Sequence, residues 1–198
     1  MSQAAVGAIE HPAVSATGVP TQKLGMWVFL ASEVMFFTGL IAAYLVLRLG
    51  HPAWPGSEGH LSVLLGTVNT FILICSSMTM VMAYAAIQQH QAVALRGYLL
   101  ATILLGCAFL GIKGYEYATK FAHHIGPSTT IFWACYFALT GFHGLHVLGG
   151  VIANGWLFSR AVRHRLPPED AYRVELAGLY WHFVDIVWIF LFPFIYLL

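Results

Sequence analysis

Charge is what this chain has least of. Only 9% of its 198 residues are Asp, Glu, Lys or Arg, while 59% are hydrophobic. A soluble domain carries about 25% charged residues, so the shortfall excludes an ordinary water-exposed fold and points to a membrane. The nine Lys and Arg form no run that could track a phosphate backbone, which excludes nucleic acid as a partner. Cysteine is scarce as well. Cys75, Cys107 and Cys135 lie far apart without a CxxC, so neither a disulfide framework nor a metal site is expected, and they read as small buried residues. Residues Met1 to Gln22 lack a basic patch and a continuous apolar run; with Pro12 and Pro20 they read as a short tail, not a cleaved leader. Internal repeats and paired broken helices are missing too, which weighs against a secondary transporter.

What is present is apolar length. Five stretches, Leu24–Leu49, Leu61–Gln89, Gly97–Tyr117, Ser128–Phe158 and Leu176–Leu198, each reach the roughly 20 residues that a helical crossing needs. A helix satisfies its own backbone in hydrocarbon, and an open strand does not. The expected fold is therefore all-α: a tail over 1–23, then one five-helix membrane domain over 24–198. Lys23, Arg96, Arg160, Arg163, Arg165 and Arg173 fall on the side of the N-terminus and the second and fourth loops. Arg48 and Lys120 fall on the other. This bias predicts a cytoplasmic N-terminus and a C-terminus outside.

Ionisable residues inside such spans are costly, and each needs a partner. Glu33 lies about nine residues into the first span, roughly 13 Å deep at 1.5 Å per residue. It reads either as an acid tying two helices together or as a proton-handling group. Asn69, Thr70, Ser76 and Ser77 in the second span read as helix–helix hydrogen bonds. Lys113 and Glu116, at i and i+3, read as a local ion pair with Lys113 snorkelling outward.

His143 and His146 share a face of the fourth span, among Gly141, Gly144, Gly149 and Gly150, which admit a close neighbour. Two histidines on one face of one helix cannot clamp a haem from both sides, and no facing Glu-x-x-His helix completes a di-iron site. Packing histidines bonded across the bundle are expected instead. His182 and Asp185, also i and i+3, read as a relay or metal pair in isolation and as a buried polar tie beside the other groups. Arg160 reads either as a lipid-headgroup contact or as topology alone.

Several blocks in order carry a family likeness: Trp27 to Phe37 around Ser32-Glu33, Asn69-Thr70, Arg96 with Thr102, and Glu116-Tyr117. Then come Thr140-Gly141-Phe142-His143-Gly144-Leu145-His146-Val147 and Tyr180-Trp181-His182-Phe183-Val184-Asp185. With them the chain resembles subunit III of the haem–copper oxidases, specifically of cytochrome c oxidase, from about Lys23 to the C-terminus.

The resemblance implies two helix groups splayed in a V with phospholipids in the cleft. It also implies a subunit with no redox centre of its own, haem and copper sitting in subunits I and II. Such a subunit packs on subunit I, joins subunit II and a small subunit IV, supports proton uptake, and meets cytochrome c only through the complex. Glu33 becomes the cleft carboxylate and Arg160 the headgroup arginine. Asn69, Glu116, His143, His146, His182 and Asp185 become bundle ties, with no catalytic or metal residue. Longer relatives have seven helices; this chain lacks the first two, so one arm of the V is reduced. The five-helix form implies a bacterial plasma membrane. Quinol oxidase subunit III and a nitric oxide reductase accessory protein are the alternatives, and Glu33 with Phe142 favours the cytochrome c branch. Lys113 departs from the family's usual uncharged residue.

Overall fold

The computed structural model describes residues 20–56 and 61–197. Of the tail expected over 1–23, residues 1–19 lie outside the described residues, and Thr21 to Lys23 already form a helical turn. Five long helices follow: α1 (Thr21–Gly50), α2 (Val63–Gln88), α3 (Ala92–Ala122), α4 (Ile131–Val162) and α5 (Ala171–Phe192). A 3₁₀ turn, Pro168–Asp170, leads into α5, and a π-helical turn, Pro193–Leu197, follows it. No strand occurs among the described residues. All five segments are long and apolar enough to cross a membrane.

Local chemistry sets the boundaries. Pro20 opens α1, and its carbonyl accepts from the backbone of Lys23 and Leu24. The Ser62 hydroxyl caps α2 by accepting from the Leu65 N–H, and Thr130 does the same for α4 at Trp133. α3 runs about five residues beyond the expected 97–117 at both ends, because Arg96 and Lys120 are helical rather than loop residues. α4 starts at Ile131 rather than 128, since Pro127 to Thr129 turn before the Thr130 cap.

α2, α3 and α4 end alike. His90, His124 and His164 each take a positive φ, at 59°, 58° and 53°. The following N–H reaches back in each case, Gln91 to Ala86, Ile125 to Lys120 and Arg165 to Arg160, all at 2.9 Å. These are the bonds of a Schellman end, built with histidine where glycine is usual. A left-handed non-glycine residue costs roughly 1–2 kcal/mol, and the recovered carbonyl bond offsets it.

α2, α3, α4 and α5 form a closed ring, each packing on two others, around fully buried Trp181 and Trp188. α1 stands outside that ring against α4 and α5. Glycine makes the ring close enough. A Cβ on Gly150 would come within 2.6 Å of the Trp181 ring, and one on Gly106 within 2.8 Å of it. Gly144, by contrast, has open space beside it. The spacing that drew attention to four glycines therefore matters most at Gly150. The two groups are thus uneven, one helix beside four.

Candidate functional site

Glu33 and His146 meet where α1 crosses α4. The Glu33 carboxylate (Oε2) lies 3.0 Å from His146 Nε2, and the two side chains keep 19% and 18% exposure. His146 Nδ1 is 2.7 Å from the Phe142 carbonyl oxygen one turn earlier. A carbonyl only accepts, so Nδ1 carries a proton and Nε2 is the atom left to face Glu33. Phe37 stands edge-on to the His146 ring at 5.0 Å, and the Tyr180 hydroxyl donates to the His146 carbonyl at 3.0 Å. The pair can hold one proton between carboxylate and imidazole, screened by aromatic rings. Beside it, Val34, Phe37, Ile41, Phe183, Ile186 and Phe190 line an apolar groove of about 430 Å³ between α1 and α5.

The partner of His182 and Asp185 is α2. Ser77 Oγ lies 2.6 Å from His182 Nδ1, and Asp185 is buried beside the same serine. Both Asp185 oxygens are without a hydrogen-bond partner among the described residues. One turn to either side, α5 sends indole N–H groups across the same seam. Trp181 donates to Ser76 and Trp188 to Thr70, both at 3.0 Å. Three of the four polar α2 residues expected to bond across helices do so. Asn69 does not: it is fully buried, and both ends of its amide lack a partner among the described residues.

His143 departs from its expected role. It shares a stretch of α4 with His146, yet the two serve different interfaces. His143 is fully buried between the rings of Phe109, at 5.6 Å, and Trp188, at 5.1 Å. Neither ring nitrogen is hydrogen-bonded among the described residues. The reason is geometric: three residues turn a helix by about 300°, enough to put the first ring inside the ring of four and the second against α1.

Lys113 does not snorkel outward. It is 6% exposed, and its ammonium donates to Glu116 Oε2 at 2.9 Å, the Tyr196 hydroxyl at 2.6 Å and the Tyr136 hydroxyl at 3.4 Å. Glu116 Oε1 also accepts from Lys120 at 2.8 Å and from Tyr196 at 3.0 Å. Lys120, expected in a loop, is thus buried on the same helix face one turn beyond Glu116. Tyr136 and Tyr196 left no mark in the sequence, and Lys120 counted there only toward orientation. The i, i+3, i+7 spacing of Lys113, Glu116 and Lys120 was the available signal, hidden because a charged residue near a span end reads as a boundary.

The basic residues gathered by the positive-charge bias do share one end of the bundle. Lys23 pairs with Glu175, and Arg96 Nη2 lies 3.2 Å from His164. Arg160 donates to the Arg165 carbonyl at 3.1 Å, sits over the Trp156 ring at 4.9 Å, and lies 3.8 Å from Asp170. Its guanidinium is therefore largely engaged within its own loop. No group of three or more His, Cys, Asp or Glu that could hold a metal occurs among the described residues.

A five-helix membrane-spanning bundle whose intramembrane acids and bases tie helix to helix defines a class of polytopic integral membrane protein. Comparison with known sequences narrows it. Residues 8–198 match the family described as cytochrome c oxidase subunit III. Cytochrome c oxidase subunit 3 of Synechocystis sp. is 42% identical over 183 residues, covering 89% of this chain and 76% of that one. The protein of the same name from Thermostichus vulcanus is 39% identical over 176 residues, 88% and 86% of the two chains. That of Alkalihalophilus pseudofirmus is 33% identical over 200 residues, 97% and 94%. The chain belongs to the cytochrome c oxidase subunit III family.

Proposed function

We propose that this chain is the non-redox accessory subunit of a proton-pumping cytochrome c oxidase in a bacterial plasma membrane. It assembles on subunit I together with subunit II and a small subunit IV, with its N-terminus in the cytoplasm. Haem and copper belong to subunits I and II, and electrons from cytochrome c reach oxygen there. The family match over nearly the whole chain carries this reading. The names of the relatives favour cytochrome c over a quinol as donor.

The groove between α1 and α5 is lined almost wholly by apolar side chains, which suits phospholipid acyl chains. Glu33 and His146 border the same α1 contact and are the groups able to hold a proton there. Arg160, at the end of α4, is the arginine we assign to a headgroup phosphate, through what its contacts with Arg165 and Asp170 leave free. Proton uptake is then supported indirectly, by holding lipid and subunit I in place.

Purification of the assembled complex tests the reading. The chain should co-purify with a haem–copper subunit and contribute no haem absorbance of its own. Glu33→Ala should leave the haem spectra intact, since no ligand is lost. Stoichiometric haem in the chain purified alone would overturn the proposal.

A further inference from the structure

Among the described residues the Lys113–Glu116–Lys120 cluster has one more cation than anion, and its hydrogen bonds show which cation is incompletely answered there. Each Glu116 oxygen already accepts from one lysine and from Tyr196. Lys113 spends all three ammonium hydrogens, on Glu116, Tyr136 and Tyr196. Among the described residues Lys120 spends one, on Glu116 Oε1. Its Nζ lies over the Tyr136 ring at 4.9 Å and the Trp133 ring at 5.6 Å, which lowers the cost of burial but supplies no acceptor. A buried ammonium with two N–H bonds to spare attracts an oxyanion.

A place for one adjoins it. Lys120 and Glu116 line a pocket of about 190 Å³ together with Ser62, Leu65, Thr119 and Ile125. A single water needs roughly 10–15 Å³ on that measure, so a phosphate group has room. Ser62 is exposed, and its hydroxyl, which accepts from the Leu65 N–H, keeps its hydrogen to donate; the Thr119 hydroxyl already donates to the Tyr115 carbonyl at 2.8 Å and shapes the pocket only. The apolar part of the wall and the position near the end of a spanning helix suit a phosphate that carries a lipid tail.

We propose that this pocket is an anion site for a phosphate group, with Lys120 as its charge-bearing donor. It lies at the opposite end of the bundle from Arg160 and does not depend on the function proposed above. Native mass spectrometry of the full chain, purified with the subunits that accompany it, tests the site with dioctanoyl phosphatidylglycerol and inorganic phosphate as probes. Dioctanoylglycerol, which lacks the phosphate, is the control.

The wild type should bind one more phosphatidylglycerol than Lys120→Gln, or bind it about tenfold more tightly, the order expected for one charge-assisted hydrogen bond. Thr119→Trp, which fills the pocket mouth and leaves the ion pairs alone, should lose the same molecule and guards against misfolding of the lysine variant. Displacement by millimolar inorganic phosphate would assign a free anion as the source; resistance to it would assign the lipid headgroup. Equal binding by wild type and both variants would overturn the site. A carbodiimide cross-link from Lys120 to a partner carboxylate, with no probe-dependent difference, would overturn it as well.

Discussion

The Lys113 ammonium donates to the Tyr196 hydroxyl at 2.6 Å, fastening the last third of α3 to the π-helical turn that ends the described chain. Tyr196 in turn donates to Glu116, so acid, base and phenol close a loop among buried groups. Removing one member of such a loop leaves the others buried and unpaired.

Glu116→Leu should therefore be the most damaging change in the cluster. It strands two buried ammonium groups, a loss of about 3–5 kcal/mol. Tyr196→Phe, which deletes one hydroxyl, should cost about 1–3 kcal/mol. Thermal unfolding in detergent checks both, and Glu116→Leu unfolding at or above the Tyr196→Phe temperature would contradict the ranking.

Gly150→Ala places a methyl 2.6 Å from the Trp181 ring, in a core with no slack. Overpacking of this kind costs about 1–3 kcal/mol. Gly144→Ala meets nothing within 4 Å and should be neutral or slightly stabilising. The contrast between the two, read from unfolding midpoints, separates the packing glycine from its neighbour in the same block. Trp181→Phe should relieve part of the Gly150→Ala penalty.

The three left-handed histidines invite the opposite experiment. His90→Gly should stabilise by up to about 1 kcal/mol, because glycine adopts that backbone without the side-chain penalty. Val at the same position should destabilise. A shift in unfolding temperature of matching sign tests this, and a stabilising Val would refute it.

Thr70→Val removes the acceptor for the Trp188 indole N–H while keeping the shape of the side chain. A buried donor left unmade costs about 1–3 kcal/mol. His182→Leu breaks the parallel contact with Ser77. Both should lower the amount of folded protein recovered, and on the function proposed above neither should change haem spectra of an assembled complex. Unchanged recovery with altered proton pumping would point to a direct proton role for His182 instead.

Much of this was written in the chain itself. Apolar runs of membrane length follow from composition alone, because a backbone in hydrocarbon has few ways to satisfy its hydrogen bonds. The blocks around Glu33, His143 and His182 carried the family likeness, since they are contiguous in sequence. Helix ends were less legible: a histidine in the place of a terminal glycine leaves no local mark.

What only the tertiary structure decided is which polar groups meet. Glu33 finds His146 across 113 residues of sequence, Ser77 finds His182 across 105, and Lys113 finds Tyr196 across 83. Such pairings depend on the angle at which helices cross and on how closely Gly106 and Gly150 let them approach, quantities that no single span encodes. The same geometry separated His143 from His146 and buried Lys120. Local pattern determined that these residues sit in membrane helices; packing of the four-helix ring determined what each of them touches.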